Sequence, residues 1–516
     1  MGGVAGLNES TLDRARISRD ARFDGKFFIA VRTTGIYCRP ICPSPTSKKG
    51  NVRYYATAAA AAAAGYRPCR RCRPEVAPGS PAWLGPSAVV RRALRLIQAG
   101  SLDNGTVVDL ATRLGIGSRH LDRLFLQHVG VSPVAVAQTR RLHFAKQLLD
   151  ETDLRIIDIA MAAGFGSVRR FNDAFRHAFG KPPSELRRRL TMDAGARRSE
   201  SIELQLRYRP PYDWDHLLSF LARRAIAGVE RVDAHEYART IAVANGHVIV
   251  RARPQPGENA LALKVIGSTP AALLELATVS KRVFDLCADP APIADVLARD
   301  PMLRPLLESR PGLRVPGAWS PFECAIRAVL GQRVTVATGR HWVERLVQRV
   351  GTPIATGAEG LTHLFPSPLA ILEGATDDLA LPRTRLATLR SLAQAVHEGR
   401  VDFTAHSAEI VRALTAVPGI GDWTAQYVAL RGLGEPDAFP AEDLALRRMI
   451  VPDERRSVSA ETADRAQAWR PWRGYAVIHL WAADGSTKNA RRRGRSARVP
   501  LGVGRTSPTA HAPGSV

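Results

Sequence analysis

Apolar and polar positions along the chain change period several times, and each change marks an element. Seven consecutive alanines, Ala58 to Ala64, predict a short helix ended by Gly65. Two segments with helical apolar spacing follow, 49 residues apart: DLATRLGIGSRHLDRLFLQHVG from Asp109 and DIAMAAGFGSVRRFNDAFRHAFG from Asp158. Each predicts a helix closed by a glycine (Gly115, Gly164), then a second helix that Ser118 or Ser167 can N-cap. After residue 200 the period falls to two. IELQLRYRP reads as a strand, a helix follows from roughly Trp214 to Ala227, YARTIAVANGHVIVRARP reads as a hairpin turning at Asn245-Gly246, and ALALKVIG is a further strand. From 291 to 484 helical patterns dominate. Within them Pro418-Gly419-Ile420-Gly421 forms a tight turn directly before a helical run, Asp422 to Arg431. By itself that turn also fits an ordinary corner between two helices.

With PAWLGPS and RRRLTMDAGARRSE as connectors, these breaks divide the chain into segments 1–80, 81–195, 200–290, 291–484 and 485–516. The expected fold class is multidomain and mainly α. It comprises a small α+β domain, a double helix-turn-helix, a small antiparallel α+β domain and an all-α core. At 516 residues and 45% hydrophobic content the chain can bury several cores. Its net charge of +25 favours a polyanionic partner, nucleic acid before membrane. Part of that charge sits in the last segment, which from Gly485 carries seven Lys/Arg and no acid and reads as disordered. The N-terminal stretch has no apolar signal region, and no run of about 18 apolar residues occurs. A cytoplasmic, nucleoid-associated protein is expected.

Four of the six cysteines lie between Cys38 and Cys72. Cys38-x3-Cys42 and Cys69-x2-Cys72 form two close pairs of thiols, which suits tetrahedral zinc. Spacing alone fits a purely structural zinc knot. Arg39, Arg67, Arg70, Arg71 and Arg73 surround the pairs, placed to offset thiolate charge and to meet phosphates. The wider run, FFIAVRTTGIYCRPIC, NVRYY and AAAGYRPCRRCRPE, resembles the methyl-sensing domain of the Ada family from about Asp20 to Glu75. The resemblance implies one Zn2+ held by Cys38, Cys42, Cys69 and Cys72, with Cys38 accepting a methyl group from a methylated DNA phosphate. One departure is PSPTSKKG after Cys42, where Lys48 and Lys49 stand in a segment expected to be richer in arginine.

The doubled segment resembles the DNA-binding domain of AraC-type activators over roughly residues 86–190. The resemblance implies that Arg119, His120 and Arg123 lie on one recognition helix, and Arg169, Arg170 and Asn172 on the other. Promoter DNA and RNA polymerase are then expected partners of a monomer.

In VPGIGDWTAQYVALRGLGEPDAFPAED, Gly419 and Gly421 permit close approach of a phosphate to backbone N–H groups at a helix start. Trp423 and Tyr427, four residues apart, share a helix face. Glu442 and Asp443 follow. The stretch resembles the helix–hairpin–helix and catalytic Asp of AlkA-type DNA glycosylases, and residues 200–290 resemble that family's N-terminal sheet domain. The resemblance implies Asp443 as catalyst and Trp423, Tyr427 and Trp481 as a pocket for a flipped, alkylated base. It also implies Gln332 and Arg333, in the LGQR turn, as the residues that enter the duplex. Arg333 stands where an apolar wedge is expected, and Trp423 where glycosylases with lyase activity carry lysine. The expectation is a monofunctional hydrolase of the 3-methyladenine type acting on duplex DNA. The alternative is a methylation-activated transcription factor whose glycosylase half only binds DNA. Cys287 and Cys324 lack the sequence context of a second methyl acceptor.

Overall fold

The computed structural model describes residues 4, 7–74, 77, 88–98, 100–103, 105–187, 201–244, 246–267, 270–450 and 458–496. The connector PAWLGPS and most of RRRLTMDAGARRSE lie outside them.

A four-stranded sheet opens the chain, in the order Val52–Tyr55, Phe28–Val31, Ile36–Cys38, Arg67–Pro68. The alanine helix, Ala58–Ala63, packs on it through Ala58 and Ala61, and Gly65 at φ 86° ends it. Two helix-turn-helix units follow. The first pairs Val107–Arg113 with Ser118–His128; the second pairs Ile156–Ala162 with Val168–Phe179. Gly115 and Gly164 take the left-handed conformation between the helices. Ser167 caps its helix through Arg170 N, but Ser118 does not. Gly117 is the N-cap there, so Ser118 is already the first helical residue. The 19-residue helix Pro133–Glu151 joins the two units.

Five antiparallel strands form the second sheet, in the order Ser201–Arg207, Ala260–Ile266, Gly246–Pro254, Tyr237–Val243, Glu230–Val232. Its hairpin turns one residue earlier than expected. Val243 pairs with Gly246, so Gly246 opens the second strand; Asn245 lies outside the described residues. The register keeps Val248, Val250 and Ala252 buried on the core face, which fixes it. The helix after the first strand of this sheet, Trp214–Ala222, ends five residues short of Ala227. The chain turns there so that Ile226 and Val229 can join the helical core.

Cores cross the segment boundaries. One cluster runs from Leu148 of the connecting helix and Phe171 and Phe175 of the second helix-turn-helix into Leu204, Val250 and Leu263 of the sheet and on to Phe284. Two more fill the helical half, one around Phe322, Leu346, Leu392 and Val428, the other around Leu297, Trp469 and Val477. The last helix, Arg473–Ser496, runs past Gly485. Residues 485–496 are therefore helical rather than disordered, consistent with the strong helix formers Ala490 to Arg493. Residues 497–516 lie outside the described residues.

Candidate active site and cysteine centre

Helices Ser407–Thr415 and Asp422–Arg431 form the hairpin. Its two glycines do different jobs. Gly419 has φ 86°, and a Cβ there would lie 2.0 Å from Thr388 Oγ1. Gly421 has ordinary backbone angles and nothing within 4 Å of a Cβ position, so its bareness faces open space. Gln332 is tied to the turn: its Nε2 donates to Gly419 O (3.1 Å) and to Thr424 Oγ1 (3.0 Å). Arg333 beside it is exposed, at φ 53°. Of the two residues expected to enter a duplex, Arg333 is exposed, while the Gln332 amide is engaged with the hairpin.

Trp423 and Tyr427 stack at 5.4 Å between ring centres, and Trp481 lies 6.0 Å from Tyr427. Asp443 immediately precedes the helix Leu444–Ile450 and caps it, Oδ1 accepting from Ala445 N (3.0 Å) and Leu446 N (3.1 Å). Trp481 Nε1 donates to the same oxygen at 3.2 Å, and Trp423 Nε1 donates to Oδ2 at 3.0 Å. Four N–H donors thus orient one half-buried carboxylate. Glu442 is exposed. All three aromatics and Asp443 line one cleft of about 1830 Å³, with Arg333, Arg447 and Arg448 also on its wall. Residues 417–427, 443 and 481 are distant in sequence, and the fold brings them together.

The far side of the cleft was not foreseen from sequence. Arg327 pairs with Glu230 (2.6 Å) and Glu323 (2.5 Å), and Arg239 pairs with both as well. Burial alone would raise Glu230, but Arg327 and Arg239 outweigh it and hold its carboxyl at about 2. Arg431 donates to Pro316 O (2.7 Å) and to the Tyr427 hydroxyl (2.5 Å). Arg224 lies beside them on the same wall. Arg447 and Arg448 could have been suspected from their position one helical turn after Asp443. Arg224 and Arg431 gave no signal, because an arginine four residues after an aromatic is commonplace.

At the other end of the molecule the Sγ atoms of Cys38, Cys42, Cys69 and Cys72 all lie within 4.8 Å of one another. Cys69 and Cys72 are buried, Cys38 and Cys42 half-buried. Four thiols this close cannot ionise together unaided. Contact with Cys42 pushes Cys38 up, while contact with Cys38 pushes Cys42 down. A tetrahedral dication removes that conflict, and the donor set fits one Zn2+ bound by cysteine.

Two of the five arginines around it are not available for phosphates. Arg39 is buried, ion-paired with Asp24 and donating from Nη1 to Cys72 O (3.0 Å). Arg73 is paired with Asp150 (3.1 Å) and Glu151 (3.3 Å) of the long helix. Arg67, Arg70 and Arg71 are exposed. In the helix-turn-helix units Arg119, His120, Arg123, Arg169 and Arg170 are all exposed on the second helices, as expected, while Asn172 is half-buried.

A hairpin, an aromatic cleft with an oriented carboxylate, a double helix-turn-helix and a four-thiol centre define a DNA-handling protein of the base-excision class joined to a metal-bound regulator. Family models match in three places: the metal binding domain of Ada over residues 11–75, a helix-turn-helix domain over 110–189, and the AlkA N-terminal domain over 203–320. The chain is 40% identical to a probable bifunctional transcriptional activator/DNA repair enzyme AlkA of Mycobacterium tuberculosis, over 91% of this chain and 95% of that one. It is 35% identical to DNA-3-methyladenine glycosylase 2 of Escherichia coli, over 54% of this chain and 97% of that one. It is 32% identical to the bifunctional transcriptional activator/DNA repair enzyme AdaA of Bacillus subtilis, over 35% and 83%. The chain belongs to the family of bifunctional transcriptional activator/DNA repair enzymes of the AlkA type.

Proposed function

We propose that the helical half excises alkylated bases from duplex DNA by hydrolysis, and that the N-terminal half senses methylated DNA phosphates and regulates transcription. The observation that carries the first part is the Asp443 carboxylate, held by the indoles of Trp423 and Trp481 in an aromatic-lined cleft. A stacked base is inaccessible, so the target nucleotide must leave the helix. Arg333 fills the gap it leaves. The backbone at Gly419–Gly421 grips a phosphate, and Arg447 and Arg448 hold the strand nearby. The flipped base stacks on Trp423, Tyr427 and Trp481. An alkylated purine is cationic, and an aromatic face attracts a cation by about 0.5–2 kcal/mol, which favours damage over normal bases. The bond from the base to the sugar breaks with its electron pair leaving on the base. Positive charge builds on the sugar, where Asp443 stabilises it and orients the water that adds there. With Trp423 in place of a lysine, no amine is set for covalent attack on the sugar.

In the N-terminal domain Cys38, Cys42, Cys69 and Cys72 hold Zn2+, which keeps the thiols ionised at neutral pH. The Cys38 thiolate attacks the methyl carbon of a phosphotriester. A sulfur–carbon bond forms, the carbon–oxygen bond breaks, and the phosphate recovers its negative charge. Cys38 becomes a neutral thioether, repulsion from phosphates falls, and DNA is bound more tightly. The helix-turn-helix pair then reads promoter DNA and presents the molecule, as a monomer in the cytoplasm, to RNA polymerase.

Both halves are tested on methylated duplex DNA. Free base is expected in solution with the strand unbroken until alkali is added, and borohydride is expected to trap no protein–DNA adduct. Mass spectrometry is expected to find one added methyl, on Cys38. A trapped adduct would contradict hydrolysis, and methyl on another cysteine would contradict the assigned acceptor.

A further inference from the structure

On the wall of the cleft, Arg224 is a cation with no carboxylate partner among the described residues. Arg327 and Arg239 share the carboxylates of Glu230 and Glu323, and Arg431 is satisfied by Pro316 O, Gly317 O and the Tyr427 hydroxyl. Arg224 is different. Its guanidinium lies 3.7 Å over the Phe220 ring and donates to Phe220 O at a long 3.3 Å. Its remaining neighbours are Tyr427, Arg431 and Arg223, with no carboxylate among them, and burial lowers it to about 10. A shielded cation with spare donors is costly unless an acceptor arrives.

The position of those donors narrows what the acceptor is. Trp423, Tyr427 and Arg431 follow one another at four-residue steps along one helix, each step about 6 Å. Trp423 touches Asp443; Tyr427, one turn on, touches Arg431 and Arg224. A purine whose glycosidic bond sits at Asp443 and whose ring lies along Trp423 and Tyr427 therefore ends at Arg224. Phosphates have other partners, since the exposed Arg333 and Arg448 and the half-buried Arg447 also line the cleft.

We propose that Arg224 donates to a carbonyl oxygen on the far edge of the flipped purine, and so biases excision toward N-methylated guanine over N-methylated adenine. Guanine presents a carbonyl on that edge; adenine presents an amine, which offers the guanidinium a donor where it needs an acceptor. This rests on the reading of the cleft as a base-excision site. Charge does not confound the comparison. 7-Methylguanine and 3-methyladenine are both cationic in DNA, so Arg224 repels them alike and only the edge differs.

The experiment measures 7-methylguanine and 3-methyladenine released by the full chain from the same methylated duplex, for wild type, Arg224→Met and Arg224→Lys. The ratio of the two products is read within each protein, so a reduced folded fraction does not alter it. Arg224→Met is expected to lower the guanine-to-adenine ratio by about tenfold or more, the size of effect seen when a site loses a hydrogen bond that discriminates substrates. Arg224→Lys keeps a donor and the charge but loses the planar fork, and is expected to recover part of the ratio. An unchanged ratio in Arg224→Met, or an equal fall of both products, would overturn the proposal. Wild type releasing neither base would instead overturn the excision reading beneath it.

Discussion

At the scale of single residues the hairpin glycines separate architecture from grip. Gly419→Ala drives a methyl group into Thr388 at a left-handed position and is expected to cost about 2–3 kcal/mol, seen as a drop in thermal unfolding temperature. Gly421→Ala meets nothing in the protein. It is expected to leave stability within about 0.5 kcal/mol and to weaken duplex binding, because the added methyl stands where a phosphate approaches. Equal stability losses in the two variants would contradict this division. The pocket indoles carry a similar distinction. Trp481→Phe keeps an aromatic face but removes one of four donors to Asp443, and is expected to slow base release about tenfold with DNA binding unchanged. Residue types in a tight motif were legible: two glycines, an aromatic pair and an acid declare themselves by spacing. Arg224 and Arg431 were not, because their meaning comes from the cleft. The contacts of Gln332 were not legible for the same reason, since its amide is engaged by Gly419 and Thr424 from another element.

At the scale of elements, repetition and period carried most of the reading. The paired helices after Asp109 and Asp158 stand where the apolar spacing put them, because each pair buries its apolar face in a cluster, the first with Val90, Ala93 and Ile97 and the second with Leu148 and Leu149. What differed were ends and registers: the cap at Ser118, the strand that opens at Gly246, and the helix that stops at Ala222. The helix end goes with a tertiary contact that a local pattern does not contain, Ile226 and Val229 joining the helical core. The arginines around the four thiols show the same thing. Arg39→Ala leaves Asp24 buried without its partner and is expected to cost about 3–5 kcal/mol, lowering the zinc content of the purified protein. Arg70→Ala and Arg71→Ala are expected to keep zinc and lose only salt-sensitive DNA affinity. Loss of zinc from the exposed-arginine variants would contradict the assignment.

At the scale of the molecule the segments are not beads on a string. Lys26 pairs with Asp289 at 2.6 Å, both buried, and Arg209 donates to Asp24 O at 2.9 Å, so the cysteine domain is joined directly to the glycosylase half. It also meets the long helix through Tyr37 and His143, whose hydroxyl and Nε2 lie 2.9 Å apart. Burial holds His143 down at about 4 against an ordinary 6.5. A depressed folded value means stability that is complete above pH 6.5 and is lost as pH falls toward 4. The contact between the cysteine domain and the long helix is therefore expected to loosen over that range, seen as rising hydrogen exchange at both surfaces, and to lose this pH response in His143→Gln. The proposed excision depends on one carboxylate, Asp443. The most direct test compares wild type with Asp443→Asn for free-base release from methylated duplex at matched DNA occupancy. Release by wild type, with a fall of about a hundredfold or more in the variant and unchanged binding, is the expected result. Equal release by both, or none by a wild type that binds DNA normally, would contradict it.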